Sequence, residues 1–165
     1  MTTAIEQKVT TQVFRVFIKA APQAIWDAIT SGDWAAKYGY ACRVEYDLRP
    51  GGAYTAFANA AMKSHGAPDV IIVGEVIESD PPRKLVQTWH PLWDPGSAAE
   101  PATRLTWEID QKPGGFCSVT VTHDVTDAPL VAQIVSGQAA NAGGGWSFVL
   151  SDLKSLLETG TTMAG

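Results

Sequence analysis

The side chains best suited to chemistry in this chain are one histidine and a set of aromatic rings. His123 continues the alternation of Val119 and Val121, so it falls on the apolar face of its strand. An imidazole there has two readings. It is a polar anchor or general base, with the hydroxyl of Tyr46 or Tyr54 as a second polar group, or it is a core histidine whose nitrogens are satisfied by hydrogen bonds. Tyr46, Trp89, Trp107 and Trp146 take inward-facing positions, and Trp34 and Tyr38 fall in an aromatic-rich stretch after the first helix. For any one ring, core packing is the ordinary role, since an aromatic side chain buries about 150–250 Å².

Other chemistries find no residues to carry them. The sequence has no GxSxG elbow, no P-loop and no dinucleotide GxGxxG, and Gly143 to Gly145 is not followed by the Lys-Ser/Thr that holds a phosphate. His65, His90 and His123 are scattered, without HExxH or Cys/His spacing, so neither a metal nor a cofactor is expected. Glu75 and His90 fall on outward phases. Cys42 and Cys117 lie far apart without CxxC spacing and read as buried free thiols.

These residues need elements to position them. Val9 to Lys19 is rich in β-formers, and Pro22 suits the first turn of a short helix whose stripe is Ile25, Trp26 and Ile29, stopped by Gly32. Cys42, Val44, Tyr46 and Leu48 alternate with charged residues, which describes a strand buried on one face, hence antiparallel pairing. Pro50-Gly51-Gly52 turns the chain into a second strand, Ala53 to Ala58. Residues 59–69 read as a loop, Val70 to Glu78 as a strand, and Asp80 to Arg83 as a rigid turn. Leu85, Gln87 and Trp89 share a face of the next strand, and Pro91, Pro95, Gly96 and Pro101 mark a long exposed loop.

A last hairpin sets Leu105, Trp107 and Ile109 against Val119, Val121 and His123 around Pro113-Gly114-Gly115. Asp127-Ala128-Pro129 opens a short helix that is expected to run through Ala140. Trp146, Val149, Leu150, Leu153, Leu156 and Leu157 keep helix period, with Ser151, Asp152, Lys154, Ser155 and Glu158 opposite and Gly160 placed as a left-handed C-terminal residue. The three glycines before Trp146 permit a close backbone approach.

Composition bounds the rest. A chain of 165 residues, 45% hydrophobic and 18% charged, fits one domain with a single core, ordered over about residues 9–160 with flexible ends at 1–8 and 161–165. A net charge of −5 without a Lys/Arg cluster argues against nucleic acid. The first residues lack a secretory signal and no apolar run approaches a membrane span, so a cytoplasmic protein with no membrane partner is expected, as a monomer or weak dimer.

An antiparallel sheet with one apolar face needs a cover, and only the C-terminal helix is long enough to supply it. Specific words agree: Ala21-Pro22 before Ile25-Trp26-Asp27-Ala28; Arg49-Pro50-Gly51-Gly52-Ala53-Tyr54; Gly74-Glu75-Val76 leading to Asp80-Pro81-Pro82-Arg83-Lys84-Leu85 and Thr88-Trp89; Val119 to His123; and Gly145-Trp146 to Leu150 with Leu153-Lys154 and Leu157-Glu158. In that order they resemble the SRPBCC or START-like superfamily, and within it the family related to the C-terminal domain of the Hsp90 ATPase activator. The resemblance implies an α+β helix-grip fold, a curved antiparallel sheet of about six to seven strands around a long C-terminal helix. It also implies a cavity between sheet and helix, lined by Tyr46, Tyr54, Trp89, Trp107, His123 and Trp146 with Trp34 and Tyr38 near its mouth. A site of about 300–1,000 Å³ would take a small hydrophobic molecule. An Hsp90-type chaperone or other protein partner is the alternative, and a cyclase-type acid/base enzyme the third reading.

Overall fold

Why the sheet curls around one helix is visible in its register. The computed structural model describes residues 10–138 and 143–164. Seven strands run antiparallel: β1 (Thr11–Ile18), β2 (Val44–Tyr46), β3 (Ala53–Phe57), β4 (Val70–Asp80), β5 (Lys84–Pro91), β6 (Thr103–Lys112) and β7 (Phe116–Asp124). They are ordered β1-β7-β6-β5-β4-β3-β2. In the β6–β7 hairpin Leu105 pairs with His123, Trp107 with Val121 and Ile109 with Val119, so the period-two apolar positions of both strands share one face. The turn between them uses Gly114 and Gly115 at φ of 106° and 81°.

Helices α1 (Pro22–Thr30) and α2 (Gly32–Ala35) follow β1, and α5 (Pro129–Ser136) and α6 (Gly145–Thr159) follow β7. The helix α6 grips the concave face and packs chiefly along β1, with Leu150 and Leu153 fully buried and Trp146, Val149, Leu156 and Leu157 half-buried. The helix-grip expectation holds. Gly160 ends α6 in the left-handed conformation, φ 81°, as its position implied.

Several local expectations change. The stretch 59–69 contains helix α3 (Ala60–Ser64), whose start Asn59 caps by accepting the Met62 N–H at 2.9 Å. The exposed loop after β5 contains α4 (Pro95–Ala98), capped in the same way by Asp94 on Ser97 N–H at 2.9 Å. Both are short, and a single Asx cap rather than an apolar stripe defines them. The strand expected over Cys42 to Leu48 forms its ladder only at Val44–Tyr46. Ala41 sits at φ 56° before it, and Leu48 is exposed beyond it. Helix α5 ends at Ser136 because Gly137 takes φ 80°, and the expected extension to Ala140 runs into residues 139–142, outside the described residues. The expectation for residues 1–8 also lies outside them.

Asp152 departs from its polar phase. It is buried, and its carboxylate accepts the Gly39 N–H and the Met163 N–H, each at 2.8 Å. One side chain of α6 thus ties down both the loop after α2 and the chain beyond the helix. At the other border Lys154 Nζ donates to the Phe17 carbonyl at 2.6 Å and Glu158 accepts the Lys19 N–H at 3.0 Å. Phe17 lies in the edge strand β1 and Lys19 one residue beyond its end, so the two contacts occupy backbone at the end of an edge that would otherwise invite another strand.

The glycines before Trp146 have a specific use. Gly145 is buried at φ 60°, and a Cβ there would lie 2.2 Å from the Val135 carbonyl oxygen, so α5 and α6 meet backbone to backbone. Gly145→Ala is therefore expected to cost about 2 kcal/mol or more in urea denaturation. Gly115→Ala, at φ 81° with open space around it, should lose only the roughly 1–2 kcal/mol of the backbone conformation itself. Equal losses at the two sites would refute a close approach at Gly145.

Candidate functional site: an aromatic interior between sheet and helix

The inward positions of β5, β6, β7 and α6 converge on His123, which is completely buried. Its Nδ1 accepts the Trp146 Nε1–H at 3.0 Å, and its Nε2 lies 2.7 Å from Thr103 Oγ1. The Thr103 hydroxyl donates its hydrogen to the Trp89 carbonyl at 2.9 Å. That donor is spent, so the Nε2 must carry the imidazole hydrogen and donate it to Thr103. The tautomer is fixed by its partners: neutral, with Nδ1 bare for the indole. Burial pushes the imidazole pKa down from its ordinary value to about 4, against a smaller upward pull from Asp124.

Rings pack around this chain of bonds. Trp89 meets His123 edge-on at 5.3 Å between centroids, and Trp146 meets Trp107 edge-on at 5.4 Å. Outside them Trp93 lies edge-on to Trp89 at 6.1 Å. The remaining expected residues form a second group. Tyr46 and Tyr54 stack at 4.6 Å on the inner face of β2 and β3, and beside them Gly74 on β4 lies so close to β5 that a Cβ there would meet the Thr88 carbonyl oxygen at 2.0 Å, and the Tyr54 ring at 3.2 Å. Tyr46 donates to Gln87 Oε1 at 2.6 Å, and Tyr38 donates to the Ala28 carbonyl at 2.9 Å. Burial raises all three phenol pKa values, and at Tyr46 the neighbouring Tyr54 and Tyr38 add to the rise while the Gln87 bond opposes it.

Tyr38 is thus a core residue, and Trp34 lies apart, half-exposed with Lys37 Nζ 4.5 Å above its ring. Tyr54 differs from its neighbours. It is only 6% exposed, and its hydroxyl bonds to no described residue yet reaches solvent, since the buried polar atoms without a partner among the described residues are Gln12 Oε1 and Ser79 Oγ. Two polar members, Gln87 and Thr103, were visible only as polar residues on an inward phase beside Leu85, Trp89 and Leu105.

The rings expected to line a gap are in contact with one another. The two cavities described lie elsewhere. One, of about 200 Å³, is on the outer face of the sheet over Ser118 and Thr120, and one, of about 350 Å³, sits between Phe17, Phe116 and the end of α6. Among the described residues no three His, Cys, Asp or Glu side chains come together as a metal-binding group, and no helix is long and apolar enough to cross a membrane.

A family model described as activator of Hsp90 ATPase homolog 1-like protein matches residues 19–158. The chain belongs to that family. No match is found among curated protein sequences. Solved structures share the fold of this Hsp90-activator-like chain at low identity. CalU16 from Micromonospora echinospora is 17% identical over 91% of this chain and 77% of its own, with a TM-score of 0.63. The Aha1 dimer from Colwellia psychrerythraea is 19% identical over 91% of this chain and 97% of its own, with a TM-score of 0.62. An Hsp90 activator from Plasmodium falciparum is 20% identical over 94% and 91%, with a TM-score of 0.55.

The His123 geometry has a signed consequence. Between about pH 6.5 and 4 the unfolded chain takes up a proton here that the folded chain refuses, so stability is full above the window and falls with pH across it. The expected loss is about 3 kcal/mol. Urea denaturation at pH 7 and near pH 4.5 measures it, and His123→Phe should flatten the dependence; an unchanged slope in that variant would be decisive against this assignment. Trp146→Phe keeps a ring but strands the buried Nδ1, at a cost of about 1–3 kcal/mol by the same measurement.

Proposed function

We propose that this protein binds a small apolar molecule carrying one hydrogen-bonding group, in the space between β2–β4 and the first half of α6. The observation that carries this reading is Tyr54, a residue only 6% exposed whose hydroxyl bonds to no described residue and still reaches solvent. The buried polar atoms left without a partner among the described residues are Gln12 Oε1 and Ser79 Oγ, so the Tyr54 hydroxyl is within reach of water, and a ligand's polar group would take that water's place. Exposure around it agrees. Inward side chains of β5 to β7, such as Leu85, Leu105, Val119 and Val121, are fully covered. Those facing the same side on β2, β4 and α6, namely Val44, Tyr46, Ile72, Trp146 and Val149, remain partly open to solvent.

In this reading His123 holds Trp146 and does not touch the ligand. Both of its nitrogens are engaged, which leaves no lone pair for proton abstraction and weighs against a cyclase-type reaction. Trp146, half-buried and held in place by His123, would form the wall of the site at the start of α6. A second reading, a protein-interaction domain acting on an Hsp90-type chaperone, is favoured by family membership, and the Plasmodium relative is described as such an activator. Either role suits a cytoplasmic protein.

Thermal shift and tryptophan fluorescence against sterols, fatty acids, flavonoids and polyketides test the first reading, because a ligand at 100 times its Kd adds about 2.7 kcal/mol. Tyr54→Phe is the discriminating variant. It removes an oxygen bonded to no described residue, so the fold should be unaffected while affinity drops by about 0.5–1.5 kcal/mol. If no compound in the panel gives a saturable signal, the pocket reading fails and the chaperone reading takes its place.

A further inference from the structure

The outer face of the sheet carries a charge pattern that the ligand site does not use. Cross-strand register places Arg15 on β1, Thr120 on β7 and Glu108 on β6 in one row. Arg15 Nε donates to Thr120 Oγ1 at 2.9 Å, which aims the guanidinium along the face. Neither Arg15 nor Glu108 has an ion-pair partner among the described residues. The neighbouring cations are occupied, Lys112 by Asp110 at 2.6 Å and Lys84 by Glu78 at 3.4 Å. Between the two walls lies the groove of about 200 Å³, floored by the small side chains of Ser118 and Thr120. On either side of Arg15, Val13 and Phe17 stand 60% and 51% exposed on the same strand and face.

This pattern is its own complement. A two-fold axis running parallel to β7, just above the sheet, carries β1 of one copy over β6 of the other. It sets Arg15 against the second copy's Glu108, and repeats the contact in reverse. Symmetric interfaces need this property, in which residue i meets j and j meets i. A purely basic or acidic partner would find one of the two walls repulsive. Val13 and Phe17 would lose their exposed area in the same step, on a floor small enough for the two sheets to approach. We propose that this face is the contact surface for a second copy of the chain, paired through Arg15 and Glu108. It lies on the opposite side of the sheet from the proposed ligand site, so neither proposal depends on the other.

Sedimentation equilibrium of the whole protein, wild type and variants, tests it. The wild type should show a reversible monomer–dimer equilibrium that weakens as salt is raised. Arg15→Glu and Glu108→Arg should each weaken the dimer about tenfold or more, because each reversed charge faces its like twice. The double variant R15E/E108R should restore association by rebuilding the pair with exchanged signs. Circular dichroism would establish that each variant is folded, as expected for exposed positions. A wild type that stays monomeric up to millimolar concentration overturns the proposal. So do single reversals that leave association unchanged, or a double variant as weak as the singles.

Discussion

The chain of hydrogen bonds from Trp146 through His123 and Thr103 to the Trp89 carbonyl is the constraint on which the interior depends. It crosses four elements, α6, β7, β6 and β5, and every polar group in it is placed among aromatic rings. In such surroundings a half-satisfied network is more costly than an apolar core, so the chain works only as a whole. Its direction is set at the far end. Because Thr103 gives its hydrogen to a backbone carbonyl, His123 must donate from Nε2, and Nδ1 is left to receive the indole. The fold specifies a tautomer, and the tautomer specifies where Trp146 sits.

That placement would have little force if α6 could slide. It is held at three further points of different chemistry: the backbone contact of Gly145 with Val135 at its start, the Asp152 carboxylate in its middle, and, near its own end, Lys154 and Glu158 on backbone at and just beyond the end of β1. The last two also close the sheet's edge, so one helix supplies both the cover and the protection against strand addition. The opposite edge strand, β2, has only three residues and presents little ladder to extend.

Much of this architecture was legible because period decides it. Leu105, Trp107 and Ile109 against Val119, Val121 and His123 gave the hairpin, and Trp146 to Leu157 gave the helix with its end at Gly160. Helices α3 and α4 were hidden, since elements of five and four residues carry no apolar stripe and only Asn59 and Asp94 announced them. Asp152 was misread for a related reason. Helix phase says which way a side chain points, but not that a loop from Gly39 arrives there to use its carboxylate. The same limit applies inside. Alternation turned Trp89, Trp107 and His123 inward, yet packed rings and rings around a gap have the same phase, and only their distances of 5–6 Å distinguish them.

The two halves of the concave face differ in a way that bears on function. Over β5 to β7 the inward polar side chains Gln87, Thr103 and His123 all have partners, which is what a permanently closed core requires. Over β2 to β4 Tyr46 is satisfied by Gln87, whereas the hydroxyl of its stacking neighbour Tyr54 bonds to no described residue and reaches solvent, and the apolar side chains around it stay partly open. That is the physical difference between the two halves: one is sealed by its own hydrogen bonds, and the other leaves a polar point and apolar side chains within reach of solvent.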